Sequence, residues 1–589
     1  MGKALEVGLR LAPARMDVER RGDGAILLRS PQKLGGHARA VGEWLLRWAA
    51  EAPDRVFLAE RQGEAWKEIT YREALALARR IGQGLLERRL DSSRPLAILS
   101  DNSLDHALLA LGAMHVGVPV APISPAYSLM SKDFAKLKSI FELLRPGLVW
   151  TADPAKFAPA LAAVGAVPTP VADLLARPPG VEVDRAFARV GPDTLAKILF
   201  TSGSTGTPKG VINTHRMLAV NQEQYALVWP FLEDRHHVIV DWLPWNHTFG
   251  SNSNFFMMLR NGGTIYIDAG KPAPGLVDIS VRNLKEVSPT IYFNVPRGFD
   301  LLLPILEKDA GLRASFFRNL DWMVYAGAAL PQNLWERMQA LATAERGAPL
   351  PLISAWGSTE TAPLATCVHY AVDRAGVVGL PVPGCELKLV PAAGKLEVRV
   401  KGPNVTPGYY ARDDLTRAAF DEEGYYRIGD ALKFADPGKP ERGLAFDGRI
   451  AEDFKLSTGT WVHVGAARVK LIAAGDPLIQ DAVITGHGRD EVGALVFLNT
   501  QAMKAKGLSE FAAREHLRAA LRNLAAESGP GSSTHPARAL VMGEAPSIDA
   551  NEITDKGYIN QRAVLERRAE AVERLHADPP SSEVILAAP

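Results

Sequence analysis

The chain has 589 residues, more than one hydrophobic core organises, so at least two domains are expected. It is 47% hydrophobic and 23% charged, with Lys+Arg 67 against Asp+Glu 66; this is ordinary for a soluble globular protein and offers no bulk charge for nucleic acid or an anionic membrane. The two cysteines, Cys367 and Cys385, exclude a disulfide framework and a Cys-based zinc site, and suit a reducing cytoplasm.

The N-terminal stretch MGKALEVGLRLAPARMDVERRG lacks a long apolar core and does not read as a secretory signal. Glu6 stands where a myristoylation signal needs Ser or Thr. Residues 1 to about 36 are expected to be poorly structured, and a helical pattern begins at Ala38. PLAILS then reads as a buried strand, NSLDHALLALGAMHVG as a helix opening on Asn102 or Ser103, and VPVAPI as the next strand. That βαβ unit predicts a parallel sheet. Residues 104–123 are the most apolar stretch, but His106, His115 and Pro119 break it, so no membrane span is expected. TLAKILF, HVIVDWLP, GGTIYID, PTIYFNVP, DWMVYAG and PLISAWGST follow as short apolar runs, several of them separated by helical patterns. After about Lys388 the sequence alternates apolar and polar residues, as antiparallel strands do. The texture changes again near residues 448–452. We therefore expect an α/β protein: a large N-terminal domain of layered sheets and helices over 1–448, a hinge at 449–452, and a small mobile α+β domain over 453–589 ending in a loose tail.

The run ILFTSGSTGTPKGVINTH, residues 198–215, carries glycines and hydroxyls at the end of an apolar strand. Gly203 and Gly206 free the backbone and bare its amides, which can form an anion-binding concavity. Thr201, Ser202, Ser204, Thr205 and Thr207 add hydroxyl donors, and Lys209 adds charge. The chemistry is that of a polyphosphate cradle. It is not a Walker A loop, because Pro208 and Gly210 stand where that pattern needs Gly and Ser or Thr.

TSGSTGTPKGV resembles the phosphate loop of the acyl-adenylate-forming enzymes, and further motifs of that family follow in order. LPWNHTFG (243–250) resembles the aromatic/His motif of the acyl pocket, YAGAALP (325–331) the small-residue strand walling it, and AWGSTETAP (355–363) the aromatic-Gly-x-Thr-Glu motif. GYYRIGD (424–430) carries the expected aspartate and DGRIAEDFKLSTG (447–459) resembles the hinge. The resemblance covers roughly residues 38–568.

It implies an acyl-CoA synthetase-like fold and activation of a small carboxylic acid with ATP and Mg²⁺, followed by transfer to coenzyme A; a homodimer stays open. By the same resemblance Thr201, Ser202, Gly203, Ser204, Thr205, Gly206 and Lys209 would hold the phosphates. Glu360 would bind Mg²⁺, Thr359 would reach the α-phosphate, and Trp356 and Gly357 would flank adenine. Asp430 would take the ribose hydroxyls and Arg449 would support them. His247, Phe249, Gly327, Ala328, Ala329, Ser354 and Ala355 would line the acid pocket, with Trp245 beside them and Asn246 or Ser251 toward a phenolic hydroxyl. Lys556, Thr205, Glu360 and His247 would be catalytic. Plainer readings exist for several: core packing for Trp356, a surface ion pair for Arg449. The family's C-terminal Ser-Gly-Lys is here Thr554-Asp555-Lys556, and the position two after Arg449 is Ala451 rather than Asp or Lys.

EDFKLSTGTWV and EITDKGYINQRAVLERR look like a narrower branch, the bacterial feruloyl-CoA synthetases, which implies hydroxycinnamic acids as substrates. The small pocket residues suit a flat ring, and equally admit a benzoate or a medium-chain acid. Loading of a separate carrier protein and a non-catalytic nucleotide-binding role are the alternatives of other classes. The second would be expected to have lost Lys556, Glu360 or Asp430, and all three are present.

Overall fold

The fold follows from apolar strand runs joined by capped helices. Thr70 and Glu73 form a reciprocal capping box at the start of helix Tyr71–Glu87. The Ser103 hydroxyl accepts from the His106 amide at 3.1 Å and opens helix Leu104–His115. The structure, a computed structural model, describes residues 8–202, 206–273, 275–528, 533–554 and 557–587.

Among the described residues the strands form five sheets. Leu148–Thr151, Leu96–Leu99, Val120–Ile123 and Leu195–Ser202 run parallel, as the βαβ pattern predicts, and Pro208–Thr214 closes that sheet as an antiparallel partner. A second sheet takes Val238–Asp241, Thr264–Ile267, Val56–Gln62 and Ala65–Thr70. Helices Gly42–Glu51, Tyr71–Glu87 and Leu104–His115 belong to the main core beside both sheets. The longest sheet has 11 strands. At one end Ile291–Asn294, Trp322–Tyr325 and Leu352–Gly357 are parallel and almost wholly buried; from Leu364–Cys367 onward the pairing is antiparallel. That switch puts the ends of the parallel strands beside the antiparallel half.

The C-terminal part is a separate small sheet, Ile479–Thr485, Gly493–Leu498, Arg538–Val541 and Val584–Leu586, packed with helices Val464–Ala474 and Glu510–Ser528. It shares no strand with the larger sheets among the described residues. At its entrance Lys395 and Asp453 form an ion pair with both side chains buried, 4% and 3% exposed.

Two expectations are corrected. The N-terminal region is ordered from Asp17: Asp17–Arg20 and Ile26–Arg29 make a hairpin whose second strand pairs with Glu386–Ala392. Each strand is only four residues long and the first is largely exposed, so the pattern is too short to stand out. The tail also contributes: Val584–Leu586 pairs with Arg538–Val541. No helix among the described residues is long and apolar enough to cross a membrane.

Candidate active site

The glycine-rich loop joins two strands that pair antiparallel. Leu195–Ser202 enters it and Pro208–Thr214 leaves it, with Thr201 opposite Lys209. Gly203, Ser204 and Thr205 lie outside the described residues. Gly206 is buried at φ +81°, a conformation that favours glycine. Behind the hairpin runs the segment 404–410. Tyr410 N–H donates to Gly210 O at 2.7 Å, Ile212 N–H to Gly408 O at 3.2 Å, and the Thr406 hydroxyl to Ile212 O at 2.7 Å. This backbone stitching brings the Tyr409 ring to 5.0 Å from Lys209 Nζ.

Strand Leu352–Gly357 delivers the second motif. A Cβ on Gly357 would stand 1.7 Å from Pro363 O, so no other residue fits there. The chain then makes a short 3₁₀ turn, Thr359–Thr361, with Thr359 and Glu360 buried. Glu360 Oε1 accepts from the Tyr409 hydroxyl at 3.0 Å, and the Tyr409 and Tyr426 hydroxyls are 3.2 Å apart. Burial, reinforced by the Glu360 charge, pushes both tyrosine hydroxyls well up from their ordinary pKa. Among the described residues no basic side chain forms an ion pair with Glu360. A buried carboxylate whose side-chain partner is a hydroxyl offers the oxygen chemistry that a hard cation prefers.

Asp430 closes this side. It is 8% exposed, and its Oδ2 accepts from the Trp356 indole N–H at 3.0 Å. Arg449 Nε stands 3.5 Å from Oδ1 with most of its side chain in solvent. Burial raises the Asp430 pKa, and Arg449 and the Trp356 bond oppose that rise. Trp356 is itself 8% exposed and belongs to the core, so its ring packs as well as holding Asp430.

The other side of the site is apolar. His247 is half-buried at the turn before Phe249–Phe255, a π-helical segment of the kind often found at functional positions. Phe249 meets Phe293 edge to face at 6.1 Å. Gly327, Ala328 and Ala329 form an exposed loop after strand Trp322–Tyr325. Ala355 is half-buried, whereas Ser354 is buried and its hydroxyl turns back to Tyr325 O at 3.0 Å. Two sequence-based assignments fail here. Trp245 is core, stacked edge to face on His106 and Phe255. Ser251 is 2% exposed inside the π-helical segment, and its hydroxyl donates to His247 O at 3.0 Å.

A segment of the C-terminal part reaches this site. Asp549 accepts from the Ser131 hydroxyl at 2.7 Å and the Lys132 amide at 3.0 Å, and Lys136 Nζ donates to Ile548 O at 2.6 Å. Asn551 lies on Gly206, its Nδ2 2.4 Å from where a Cβ would stand. Tyr558 Oη lies 3.1 Å from the corresponding point on Gly327. Asp555 and Lys556, which lie between Asn551 and Tyr558 in the sequence, are outside the described residues. Sequence reasoning missed Tyr409, Asn551 and Tyr558. Only Tyr409 carried a signal, as part of the TPGYY turn that breaks the strand alternation.

Family profiles fit this arrangement. That of the AMP-binding enzymes matches residues 45–410, and that of the AMP-binding enzyme C-terminal domain matches residues 456–579. The chain belongs to the AMP-binding enzyme family. A long-chain-fatty-acid–CoA ligase of Escherichia coli O6:H1 is 32% identical over 265 residues, 41% of this chain and 45% of the ligase. This chain thus matches less than half the length of that relative. The 4-chlorobenzoate–CoA ligase of an Arthrobacter species is 26% identical over 471 residues, 75% of this chain and 82% of the relative. The 3-hydroxybenzoate–CoA ligase of Aromatoleum sp. (strain CIB) is 26% identical over 466 residues, covering 72% and 80%. Among solved structures, the anthranilate CoA ligase AuaEII in complex with anthranoyl-AMP aligns with TM-score 0.70 and 19% identity, over 90% of this chain and 97% of that one. ATP-bound MatB from Rhodopseudomonas palustris aligns with TM-score 0.67 and 21% identity, over 90% and 99%. These likenesses establish the fold of this AMP-binding family member: a large α/β sheet region followed by a smaller C-terminal one.

Proposed function

We propose that the chain is an AMP-forming acid:CoA ligase. A carboxylate oxygen attacks the α-phosphorus of ATP, the bond to the β-phosphate breaks, and pyrophosphate leaves. The sulfur of coenzyme A then attacks the acyl carbon and AMP leaves. The observation that carries this reading is the grouping of Lys209, Tyr409 and Glu360 behind one hydroxyl-rich hairpin, with Asp430 held beside it by Trp356. The first step joins two anions, so fixed charge in a water-poor site is what it needs.

In this reading Lys209 and the loop from Thr201 to Gly206 hold the phosphates. Glu360 holds Mg²⁺, which when bound neutralises phosphate charge. Asp430 takes the ribose hydroxyls, Arg449 supports it, Thr359 reaches the α-phosphate, and Trp356 and Gly357 border the base. His247, Phe249, Gly327, Ala328, Ala329 and Ala355 face the acid. Lys556 is carried in by the docked C-terminal segment for the first step, and residues 449–452 serve as the hinge that takes it away.

For the acid we propose a hydroxycinnamate such as ferulate, on the strength of the EDFKLSTGTWV and EITDKGYINQRAVLERR segments. A benzoate-type acid is the second reading, favoured by the 4-chlorobenzoate and 3-hydroxybenzoate ligases among the relatives. A panel of hydroxycinnamic, benzoic and aliphatic acids with ATP, Mg²⁺ and coenzyme A tests both. The expected outcome is AMP and thioester in equal amounts, largest with ferulate, p-coumarate or caffeate. ADP appearing in step with thioester refutes the mechanism, and turnover of aliphatic acids alone refutes the ring specificity.

A further inference from the structure

Residues 552–554 and 557–560 face each other as the two arms of a small hairpin. Thr554 N–H donates to Tyr558 O at 2.8 Å, Asn560 N–H to Glu552 O at 2.9 Å, and Ile553 bridges Ile559. Its base is fixed by Glu552, whose side chain is fully buried between Arg567 and Arg568, with Arg568 Nε 2.6 Å from Oε1. The turn closes through Gly557, at φ +80°. The direction of Tyr558 is therefore set by the hairpin.

That direction is toward the larger region. The hydroxyl of Tyr558 stands 3.1 Å from the point a Cβ of Gly327 would occupy, and Val295 Cγ1 is 3.8 Å from the same point. Val295 is two residues after Phe293, which packs on Phe249. Tyr558 thus faces the apolar wall of the site, whereas Lys209, Glu360 and Asp430 form the charged side. Burial alone raises the phenol to about 12. Among the described residues the hydroxyl has no hydrogen-bond partner; the only side-chain bond at this residue runs from its amide to Thr554 Oγ1. Tyr558 is half-buried beside the exposed Gly327 loop, so its hydroxyl is open to a ligand lying there and has its donor free for it.

We propose that Tyr558 is an acid-contacting residue supplied by the C-terminal part: with the hairpin docked, its hydroxyl donates a hydrogen bond to an oxygen of the carboxylic acid lying against Gly327. This rests on the ligase reading above. The contact exists only while the segment is docked, so it favours the acid during activation and is withdrawn when the segment leaves. Gly327 matters for the same reason, because a side chain there would fill the space between the tyrosine and the acid.

The test is Tyr558→Phe, which keeps the ring and removes the donor. Acid-dependent exchange of labelled pyrophosphate into ATP, without coenzyme A, reads the first step. Thioester formation from synthetic acyl-adenylate and coenzyme A reads the second. Losing a hydrogen bond to a charged oxygen predicts a KM for the acid raised about tenfold to a hundredfold. The KM for ATP, the thermal midpoint and the second step should stay at wild-type values. An unchanged KM for the acid, a raised KM for ATP instead, or equal loss in both steps overturns the proposal. A wild-type chain that exchanges pyrophosphate with none of the acids refutes the ligase reading and this inference together. Wild-type exchange with an indifferent Tyr558→Phe refutes the inference alone.

Discussion

The two faces of the site are held by different physics. On the larger region the polar groups are built into sheet ends and sealed: Glu360 is 7% exposed, Asp430 8%, Thr359 5% and Thr406 2%. Glu360 is held by the Tyr409 hydroxyl, Asp430 by the Trp356 indole, and Thr406 by Ile212 O of the hairpin. The C-terminal segment is attached differently. Two apolar side chains reach a core cluster there: Ile548 enters it with Tyr127, Phe157 and Phe200, and the half-buried Ile553 packs against it. Around it are a few polar bonds at the surface, from Ser131, Lys132 and Lys136. Fully burying one isoleucine contributes about 1.5–3 kcal/mol, the half-buried Ile553 adds less than that, and half-exposed polar bonds add about 1 kcal/mol each. The comparison teaches a division of labour. A permanent face fixes nucleotide geometry, and a lightly held face brings groups in and lets them go.

The sharpest way to break that division is Lys556→Ala. In the proposed reading this lysine serves only the docked state. Adenylate formation should fall by about 10³-fold, the scale of removing a charge-stabilising group from a dry site. Thioester formation from supplied acyl-adenylate should continue near the normal rate. Equal loss in both half-reactions would show that the lysine belongs to the permanent face or to folding.

A smaller effect separates docking from chemistry. Asp549→Ala removes the acceptor of Ser131 and Lys132 but touches no proposed substrate atom. Adenylation should slow about fivefold to tenfold, as loss of roughly 1 kcal/mol of docking implies, with the thermal midpoint unchanged and the second step no slower. A midpoint drop without any kinetic asymmetry would mean the contact is ordinary packing.

The smallest effect concerns the permanent face alone. Lys197 lies in strand Leu195–Ser202, buried, bonded to Asn252 Oδ1 at 3.2 Å and 5.3 Å from the Phe256 ring centre. Burial lowers its pKa to about 7. Between about pH 7 and the ordinary lysine pKa of 10.5 the unfolded chain holds a proton the folded chain has lost. This residue's contribution to stability therefore rises with pH across that window. Lys197→Met should narrow the difference in urea midpoint between pH 7 and pH 9. An unaltered difference would show that water reaches the amine.

Much of this was legible in the sequence, and the rest fails for identifiable reasons. Strands such as Leu96–Leu99 and Leu352–Gly357 are buried on both faces and read as plain apolar runs. The motifs around Lys209, Glu360 and Asp430 are local, so their residues could be named without knowing the fold. The Asp17–Arg29 hairpin could not, because its strands gain their meaning only from Glu386–Ala392, far away in the chain. Lys197 sits in a strand read as buried, yet nothing local says that a lysine would be tolerated there; Asn252 and Phe256 supply the environment. Tyr558 is the clearest case. Its neighbours suggest a helix approach, and its importance comes from Gly327, which only the docked arrangement brings near.

The central claim is that an acyl-adenylate forms on the permanent face before any thiol takes part. Acid-dependent exchange of labelled pyrophosphate into ATP, with the wild-type chain and without coenzyme A, measures this directly. Exchange that requires both the acid and Mg²⁺, and needs no coenzyme A, is the predicted result. Exchange that is absent with every acid of the panel, or that appears only when coenzyme A is added, would contradict it.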